Sequence, residues 1–402
     1  MRVAVVHHWF VTRGGGERVA ECIAALFPSA EIFTLVAGPA GLPETLAGRT
    51  IHTSFLQRLP MGRSHHRHFM PLYPAATERM DLRGFDLVLS SDSGPVKGVR
   101  LSPGAVHLCY CHSPMRYLWD GYEAYRAGMR GLTRAAFTAT AGRVRRWDAA
   151  AAKNVSFFLA NSHYVADRIR RCYGREAEVL PPPIDLHRAA GAMHRAADGA
   201  GEVVGEHYLC AGRLVPYKRT EILIEACQRM GRRLRIAGAG PEEARLRKMA
   251  GDDSQIEFLG ELSNEALWRE YARCRALLFA ADEDFGMVPL EAQACGRPVI
   301  AYGVGGSLET VRGTWGVRGA ETAGPITGMY FDEQTAKAVA ETMTRWEREF
   351  EAKFRPEEAR RWAAGFATPI FLERYRQFVL RHVPEAAAAC VSAAQAAEIV
   401  LA

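Results

Sequence analysis

The sequence predicts an α/β protein built from two doubly wound domains, each a parallel sheet covered by helices. Short apolar runs of strand length alternate with helical patterns in both halves of the chain. In each half a strand runs into a glycine-rich turn and then into a helix, an arrangement that suits phosphate groups. We therefore expect a ligand at the carboxyl ends of the strands, in a cleft between the domains.

Length and composition agree with this architecture. The 402 residues are enough for two domains, and 48% apolar with 24% charged residues is ordinary for a globular protein. The first ten residues lack the apolar core of a signal sequence, and no apolar run reaches the length of a membrane span. The nine cysteines form no C-x-x-C pair. These features predict a cytosolic protein whose reduced cysteines fill the core.

The first half opens with a strand at Val3–Val6 and a turn of three glycines, Gly14, Gly15 and Gly16, followed by Glu17 and a helix. The turn alone is weak evidence for a nucleotide site, because three glycines also make an ordinary tight turn. RGGGERV also lacks the G-x-G-x-x-G order of dinucleotide sites.

Three further strands are predicted in the first half, at Asp86–Ser90, Ala105–Cys111 and Val155–Ala160. Ser162 is a good cap for the helix that follows the last of them. His112 directly follows a strand, at the sheet edge where open α/β sheets bind ligands. This position favours a functional role over that of an ordinary structural histidine.

Residues 54–74 are basic and aromatic, and we expect an irregular, partly mobile loop that contacts an acceptor or a membrane. Its apolar side chains include Phe55, Leu56, Phe69, Met70 and Tyr73. The loop also holds His65, His66 and His68. No acidic or cysteine partner is nearby, so we expect no metal there.

Basic residues are unevenly distributed along the chain, which carries a net charge of +6. A cluster with few acids precedes the predicted linker, namely Arg126, Arg130, Arg134, Arg143, Arg145, Arg146, Lys153, Arg168, Arg170, Arg171 and Arg175. The cluster fits a solvated helical surface, an anionic membrane surface or an acceptor diphosphate. Nucleic acid ranks last, because no nucleic-acid-binding motif accompanies the charge.

The domain boundaries follow from a polar stretch at residues 186–207, which lacks a core pattern and is interpreted as a linker. We expect a first domain at 1–190 and a second at 205–367. A C-terminal helix at 368–385 is expected to complete the first domain, and an Ala-rich tail at 386–402 to be frayed or loosely helical.

The second half begins with a strand at Tyr208–Ala211, followed by Gly212, Arg213 and Lys218. The two cations are close enough in sequence to hold one anionic group across the loop, although two solvated charges are the simpler alternative. Strands at Leu234–Ala237 and Ile256–Leu259 follow, and the second runs into another turn. That turn contains Gly260 and Leu262.

The most informative segment is residues 276–311, which predicts strand, loop and helix twice over. A strand at Leu277–Ala280 and an acidic loop precede Phe285, Gly286, Met287 and Val288, where a helix begins. Gly296 ends that helix. A strand at Pro298–Tyr302 then leads to a second helix, which Ser307 is expected to cap. Free backbone N–H groups at the first helix start would attract phosphate.

Two carboxylates, Glu283 and Glu291, lie close to this helix start. Carboxylates repel phosphate but accept hydrogen bonds from hydroxyls, which a nucleotide sugar carries on both sides of its diphosphate. The alternative is that Glu291 only favours a helix N-terminus and Glu283 is a solvated loop charge. The full string EDFGMVPLEAQACGRPVIA is more specific than the pair and favours the functional interpretation.

This string resembles the Glu-x₇-Glu signature of the retaining glycosyltransferases of family 4. Other strings extend the resemblance over most of the chain, namely RGGGERV, FTLV, DLVLSS, CYCHSPMRYLWD, LANSHYVADRIRRCYGREAEVLPPPID and GRLVPYKRTE. They are most similar to the bacterial branch of mannosyltransferases that assemble polysaccharide and lipopolysaccharide. The resemblance implies the GT-B fold, in which two Rossmann-like domains face each other across a cleft.

The resemblance also implies residue roles. Arg213 and Lys218, after Gly212, would hold the donor diphosphate, Glu291 the ribose hydroxyls and Glu283 the sugar hydroxyls. His112 would lie near the transferred sugar. Donor contacts would also come from the Gly14–Gly16 turn with Glu17, from Phe285–Val288, and from the backbone around Gly260–Leu262. The chain departs from the family at residues 7–9, where HHW replaces the common HDW, so no catalytic role is assigned to His8.

The implied function is retaining transfer of a sugar, with mannose from GDP-mannose the favoured donor and a lipid-linked saccharide the expected acceptor. The protein would act at the cytoplasmic face of the inner membrane, without a cofactor or metal. The D-x-D-like acids at 282–284 resemble a metal motif, but hydroxyl binding is preferred. Alternatives are a UDP- or dTDP-sugar donor, a nucleotide-sugar 2-epimerase of the same fold, and a non-catalytic nucleotide-binding protein.

Overall fold

The computed structural model describes residues 1–196, 204–314 and 325–401. The chain divides into two compact units, the first formed by Met1–Pro183 with Thr368–Ala402 and the second by Ile184–Ala367. Within the described residues, each unit contains a seven-stranded parallel sheet with helices. The predicted α/β class with two doubly wound domains is therefore confirmed.

The first unit is built around a parallel sheet in the order β3-β2-β1-β5-β7-β8-β9. Its strands, with a separate two-stranded sheet formed by β4 and β6, are β1 (Val3–Phe10), β2 (Glu31–Ala37), β3 (Ile51–Thr53), β4 (Asp81–Leu82), β5 (Leu87–Asp92), β6 (Arg100–Leu101), β7 (Val106–Cys111), β8 (Phe157–Ala160) and β9 (Ala177–Val179). Its helices before residue 183 are α1 (Gly15–Leu26), α2 (Tyr73–Glu78), α3 (Tyr122–Gly128), α4 (Gly131–Ala151) and α5 (His163–Tyr173).

The central strand β1 is longer than the predicted Val3–Val6 and continues to Phe10. It lies between β2 and β5 and is buried along nearly its whole length, as expected of a parallel strand covered on both faces. His7 and His8 therefore belong to a buried strand. Further along the chain, Ser162 Oγ accepts the Val165 N–H at 3.0 Å, so the predicted cap of α5 is confirmed.

The second unit contains a parallel sheet in the order β12-β11-β10-β13-β14-β16-β15. Its elements are α6 (Leu186–Ala196), β10 (Tyr208–Ala211), α7 (Thr220–Met230), β11 (Leu234–Ala237), α8 (Glu243–Ala250), β12 (Ile256–Gly260), α9 (Asn264–Arg273), β13 (Ala276–Phe279), α10 (Met287–Ala294), β14 (Val299–Tyr302), α11 (Ser307–Thr310), β15 (Gly313–Thr314), β16 (Gly328–Phe331), α12 (Ala336–Arg345) and α13 (Pro356–Ala364).

The predicted linker at 186–207 is wrong for its first part. Residues Leu186–Ala196 form α6, which packs against α9 and buries Ala189 and Ala192 in the core of the second unit. The small alanine side chains that weakened the core pattern in the sequence are what allow this close helix contact. The second unit thus begins at Ile184 rather than at residue 205. Residues 197–203 lie outside the described part of the chain.

The C-terminal segment returns to the first unit as α14 (Thr368–His382) and α15 (Ala393–Leu401). Helix α14 contributes Phe371, Tyr375 and Phe378 to the core beside α1. The tail at 386–402, predicted to be frayed or loosely helical, contains α15, which packs against α1 and buries Ala396 and Val400. The frayed alternative is therefore wrong for α15, because its apolar side chains cover an apolar face of α1.

The segment 54–74 is also more ordered than predicted. It forms short helical turns at Phe55–Arg58 and His66–Leu72, and Leu56, Met70 and Tyr73 are buried in a core cluster of the first unit. These side chains are therefore not available to enter a membrane. The predicted irregular loop is therefore wrong where these turns form, whereas Met61 and Leu72 of the same segment are exposed and its contact with an acceptor or a membrane stays a prediction.

Candidate functional site

In the second unit, the strands β10, β11 and β12 end in glycine turns that pack against one another. Gly212, Gly238 and Gly260 all have positive φ angles, of 132°, 138° and 68°. The Gly238 N–H donates to the Gly260 carbonyl at 2.7 Å, and a Cβ on Gly238 would lie 2.0 Å from the Gly212 carbonyl oxygen. The carboxyl end of the sheet thus has a floor of closely packed backbone, with no room for a side chain at Gly238.

Lys218 and Glu283 form an ion pair beside this floor. Their side chains are 13% and 19% exposed, so the pair is largely withdrawn from water. The Lys218 ammonium also lies 5.3 Å from the centre of the Phe279 ring. Burial opposes the charge, but the adjacent Glu283 carboxylate outweighs it and raises the pKa of Lys218. Lys218 is consequently a permanent cation at neutral pH.

Arg213 is the second cation of this region. It and Lys218 line the same small cavity, together with Gly212, Phe279 and Ala281. Arg213 is exposed, and in the described ranges no carboxylate pairs with it. The structure therefore brings the two predicted cations to one cavity, one free for an anion and one already held by a carboxylate.

The start of α10 follows the Glu283 loop. Gly286 precedes the helix with φ of 93°, and Met287 and Val288 form its first turn. A Cβ on Gly306 would lie 2.2 Å from the Phe285 backbone, and the Gly306 N–H donates to the Glu283 carbonyl at 2.8 Å. The glycine turn after β14 thus fixes the loop that carries Glu283.

The predicted capping role of Ser307 is wrong. Gly306 precedes α11, and Ser307 is its first residue. The Ser307 hydroxyl donates instead to the carbonyl of Val304 at 2.9 Å and to that of Tyr302. Ser307 therefore pins the turn after β14 to its own strand.

Glu291 lies on α10, half-buried, and accepts a hydrogen bond from the Tyr271 hydroxyl at 2.9 Å. Burial raises the pKa of Glu291, and Tyr271, Arg188 and Lys218 oppose this shift. Sequence reasoning did not find Tyr271 or Arg188. Tyr271 lies on α9 and Arg188 on α6, in the stretch interpreted as a linker, so neither carried a local signal.

In the first unit, the glycine turn leads into α1 with Gly14 preceding the helix and Gly15 and Gly16 in its first turn. The Glu17 carboxyl is buried beside the backbone N–H groups of Gly14 and Glu17. Burial raises its pKa to about 7, although these backbone groups and Arg67 oppose the shift. Glu17 therefore closes the start of its own helix, which the sequence did not reveal.

His112 follows β7, as predicted, and meets residues of β1 and β5. Its Nε2 lies 2.8 Å from Ser91 Oγ, and Ser91 Oγ lies 3.1 Å from His7 Nδ1. A Cβ on Gly16 would lie 3.5 Å from His7 Cε1 and 3.6 Å from His112 Nε2, so a side chain at this position would contact both rings. Burial lowers the pKa of His7 to about 3 and that of His112 to about 4. Both imidazoles are neutral at pH 7.

A fully buried ion-pair network supports this histidine cluster. Lys97 Nζ contacts Asp92 at 2.5 Å and Asp148 at 3.3 Å, and all three side chains have no exposed surface. Asp148 also accepts hydrogen bonds from Trp119 and Tyr173. The network joins β5 to α4 and α5. No sequence motif indicated it, because its members come from distant segments.

Part of the basic cluster before residue 183 is paired within the first unit. Arg168 is buried against Asp120 at 2.8 Å, and Arg170 contacts Glu176 at 2.9 Å. Arg175 donates to backbone carbonyls. Arg168 is therefore not a surface charge, whereas Arg170 stays exposed but has acidic partners.

Some of the remaining basic residues lie on the outward face of α4. Leu132, Arg143 and Arg146 are exposed there, opposite the buried Phe137 and Val144. Leu132 is 89% exposed. In the part of the chain that the structure describes, neither Arg143 nor Arg146 has an ion-pair partner. This face is the exposed basic surface that the sequence predicted, reduced in extent.

Two features of the described residues concern metals and membranes. No group of three or more metal-ligating side chains occurs within residues 1–196, 204–314 and 325–401. The nine cysteines are all free, and seven of them are buried, in line with the core role expected for them. Among the described helices, none combines the length and the apolar character that crossing a bilayer requires.

Comparison with protein families identifies the class that this fold and site define. Residues 13–188 match the family described as Glycosyltransferase Family 4, and residues 205–362 match the family Glycosyl transferases group 1. Together the two matches cover most of the chain. The chain belongs to the family 4 glycosyltransferases and has the GT-B fold.

Curated relatives match part of the chain. A GDP-mannose-dependent monoacylated α-(1-6)-phosphatidylinositol monomannoside mannosyltransferase of Corynebacterium glutamicum is 33% identical over 37% of this chain and 45% of its own length. A D-inositol 3-phosphate glycosyltransferase of Geodermatophilus obscurus is 35% identical over 37% of this chain and 36% of its own length. The matched region spans less than half the length of these relatives.

Solved structures match nearly the whole fold. Anabaena HepE in complex with UDP has a TM-score of 0.65 at 16% identity, with 95% of this chain and 100% of that chain covered. The lipopolysaccharide outer core galactosyltransferase WaaB has a TM-score of 0.58 at 14% identity, with 95% and 100% covered. At these identities the likeness concerns the fold alone.

Proposed function

We propose that the protein is a retaining hexosyltransferase that transfers a sugar from a nucleotide diphosphate donor to a saccharide acceptor. The favoured donor is GDP-mannose, which supplies mannose. The observation that carries this proposal is the contact between Lys218 and Glu283. A donor's phosphate and sugar are joined by one bond, so the groups that bind them must be adjacent. A cation for the phosphate and a carboxylate for sugar hydroxyls meet this requirement.

The neighbouring groups suit the rest of the donor. Arg213 offers an exposed guanidinium in the same cavity, which suits the second phosphate. The start of α10 at Gly286 adds free backbone N–H groups. Glu291 retains oxygens for ribose hydroxyls beyond its bond to Tyr271. In the first unit, His112 is the candidate for a sugar hydroxyl.

The proposed chemistry needs stabilisation of the leaving group. The bond between the sugar C1 and the phosphate oxygen breaks, and the nucleoside diphosphate leaves with the bonding electrons. Lys218, Arg213 and the α10 start stabilise its charge. The acceptor hydroxyl attacks the same face, and its proton passes to a phosphate oxygen of the donor. This route retains the configuration at C1 and needs no protein nucleophile.

The choice of donor rests on the relatives. Two phosphatidylinositol monomannoside mannosyltransferases, at 33% and 34% identity, are named GDP-mannose-dependent. Their names also include a lipid-held mannoside, which supports a lipid-linked acceptor here. We propose that the protein meets this acceptor as a peripheral protein at the cytoplasmic face of the inner membrane. The exposed face of α4 is the surface that fits this role.

The test compares donors and reactions in one series. Thermal shifts with GDP-mannose, UDP-glucose and dTDP-glucose rank the donors, since a ligand at a hundredfold excess over its Kd stabilises by about 2.7 kcal/mol. Transfer to octyl α-mannoside is then followed by NMR, which reports the anomer formed. We expect transfer from GDP-mannose with an α product. An inverted anomer contradicts the retaining mechanism.

Two rival functions give different outcomes in the same series. Incubation with the donor alone yields a C2 epimer if the protein is a 2-epimerase. Binding with neither transfer nor donor hydrolysis identifies a non-catalytic nucleotide-binding protein. A strong thermal shift with UDP-glucose and none with GDP-mannose would identify a UDP-sugar as the donor, while the protein would still be a glycosyltransferase.

A further inference from the structure

A serine hydroxyl joins two histidine rings where β1, β5 and β7 approach their carboxyl ends. Ser91 Oγ lies 2.8 Å from His112 Nε2 and 3.1 Å from His7 Nδ1. His7 and Ser91 are fully buried, and His112 is half-buried. Since water does not compete at Ser91, the hydrogen positions within this cluster are set by the protein itself.

The direction of the hydrogen bonds follows from the backbone. His7 Nδ1 lies 2.9 Å from the Ser91 carbonyl oxygen, which can only accept, so the hydrogen of the neutral ring is on Nδ1. This hydrogen also faces Ser91 Oγ. The hydroxyl hydrogen then has two acceptors, His112 Nε2 at 2.8 Å and the Gly16 carbonyl at 3.4 Å. The short contact is by far the better hydrogen bond.

The two partners are held in place. The backbone N–H of His112 donates to the Asp92 carbonyl at 2.8 Å, and Asn161 Nδ2 donates to the backbone carbonyl of His112 at 3.0 Å. Asp92 itself is anchored by the buried Lys97. The hydroxyl of Ser91 therefore faces His112 Nε2 in a fixed geometry.

We propose that Ser91 is a positioning residue that holds His112 in the tautomer with its hydrogen on Nδ1. Within the described part of the chain, no group is hydrogen-bonded to His112 Nδ1, and this atom is not buried. A neutral N–H at this position suits an uncharged oxygen such as a sugar hydroxyl. Only the nature of that ligand rests on the proposed function, because the tautomer is a property of the free protein.

The test is ¹⁵N-histidine NMR of the full chain without ligand. His112→Gln identifies the His112 signals by their loss. We expect an N–H-type Nδ1 and an unprotonated Nε2 in the parent protein. Ser91→Ala should convert this into a mixture of tautomers, and Ser91→Thr should keep the parent pattern. The proposal is overturned if His112 carries its hydrogen on Nε2 in the parent protein, or if Ser91→Ala leaves the tautomer unchanged.

Ser90→Ala is the matched control. Ser90 lies on the same strand, is equally buried, and its hydroxyl lies 2.8 Å from His107 Nε2. Its removal costs the fold a similar serine–histidine hydrogen bond, but the His112 signals should not change. If Ser91→Ala does not fold, the tautomer of His112 in the parent protein still tests the proposal, because a hydrogen on Nε2 there overturns it.

A kinetic readout separates this proposal from the proposed function. Ser91→Ala should lower kcat for transfer from GDP-mannose about tenfold with little change in KM. The reason is that the hydrogen bond from His112 Nδ1 to the sugar hydroxyl is weakened in the transfer step and not in donor binding. An unchanged kcat overturns the positioning role. If no protein transfers mannose, the proposed function fails, while the NMR result on the tautomer still stands.

Discussion

The Lys218 ammonium and the Glu283 carboxylate are ion-paired in the second unit, beside the glycine turns that end β10, β11 and β12. From the sequence, the two residues had separate ligands, a phosphate and a sugar. Because they are in contact, the charge of each residue partly neutralises the charge that the other presents to the donor. Variants of either residue therefore change both halves of the proposed donor site, and this determines what such variants should show.

Glu283→Gln is expected to separate nucleotide binding from transfer. Without the carboxylate, Lys218 presents its full charge, so GDP should bind as tightly as to the parent protein or more tightly. Transfer should fall about 10- to 100-fold, because a charge-assisted hydrogen bond to the sugar contributes roughly 1.5–3 kcal/mol. Isothermal titration and initial rates measure the two effects. Glu333→Gln, at an exposed acid after β16, is the control, and weaker GDP binding by Glu283→Gln contradicts the assignment.

Lys218→Ala and Arg213→Ala are both expected to weaken GDP binding, to different extents. Arg213→Ala should cost about 1.5–3 kcal/mol, the usual contribution of a charge-assisted contact. Lys218→Ala should cost more, because it also leaves Glu283 as an unpaired carboxylate facing the phosphate. Guanosine, which has no phosphate, should bind all variants equally. Arg233→Ala, at an exposed arginine before β11, should bind GDP normally.

Glu17 should make the first unit less stable as the pH rises. Its folded pKa, about 7, lies above the ordinary value of 4.5, so the folded state holds the proton more tightly. The stability that this proton contributes is complete below pH 4.5 and is lost as the pH rises through 7. The full effect is of the order of 3 kcal/mol.

The measurement for Glu17 is a comparison of urea midpoints between pH 5 and pH 8. Glu17→Gln keeps a neutral side chain and should lose less stability over this range than the parent protein. Glu44→Gln, at a side chain that is 92% exposed, should follow the parent. Parallel curves for Glu17→Gln and the parent would show that the Glu17 carboxyl is not held protonated.

Transfer is expected to proceed in EDTA. Lys218, Arg213 and the start of α10 supply positive charge for the leaving diphosphate, which is the task that a divalent metal performs in other enzymes. Initial rates with EDTA and with added Mg²⁺ or Mn²⁺ are the measurement. Activity lost in EDTA and restored by either ion would overturn this expectation, and the acids at 282–284 would become the candidate ligands.

The strands and glycine turns could be predicted from the sequence because they depend on local patterns. Strands β10 and β11 are found at the predicted residues, and Gly212 and Gly260 stand where turns require positive φ. The signature string also placed Glu283 and Glu291 at one helix start. Local apolar runs and glycines thus determine where the candidate donor site forms.

What the sequence did not predict depends on contacts between distant segments. Tyr271 meets Glu291 because α9 packs beside α10, and Ser91 meets His112 because β5 and β7 are neighbours in the sheet. The buried Lys97 network has the same origin. Helix α6 was missed because its alanines gave little apolar signal, although they allow close packing.

The last prediction concerns the outward face of α4, where Leu132, Arg143 and Arg146 are exposed. A cation near an anionic leaflet contributes about 1 kcal/mol, and an inserted apolar side chain adds to this. We expect co-sedimentation with phosphatidylglycerol-containing liposomes that weakens with added salt and is absent with neutral liposomes. The double variant Arg143→Ser/Arg146→Ser should weaken binding roughly 10- to 30-fold, and Leu132→Ser should weaken it less and without changing its salt dependence.

The control removes the same charge from the second unit. Arg348→Ser/Lys353→Ser replaces two exposed cations there and should leave liposome binding unchanged. If both double variants weaken binding equally, the attraction depends on net charge and α4 has no special role. Equal binding of the parent protein to anionic and neutral liposomes would contradict the membrane proposal, and a soluble saccharide would then be the better acceptor to test.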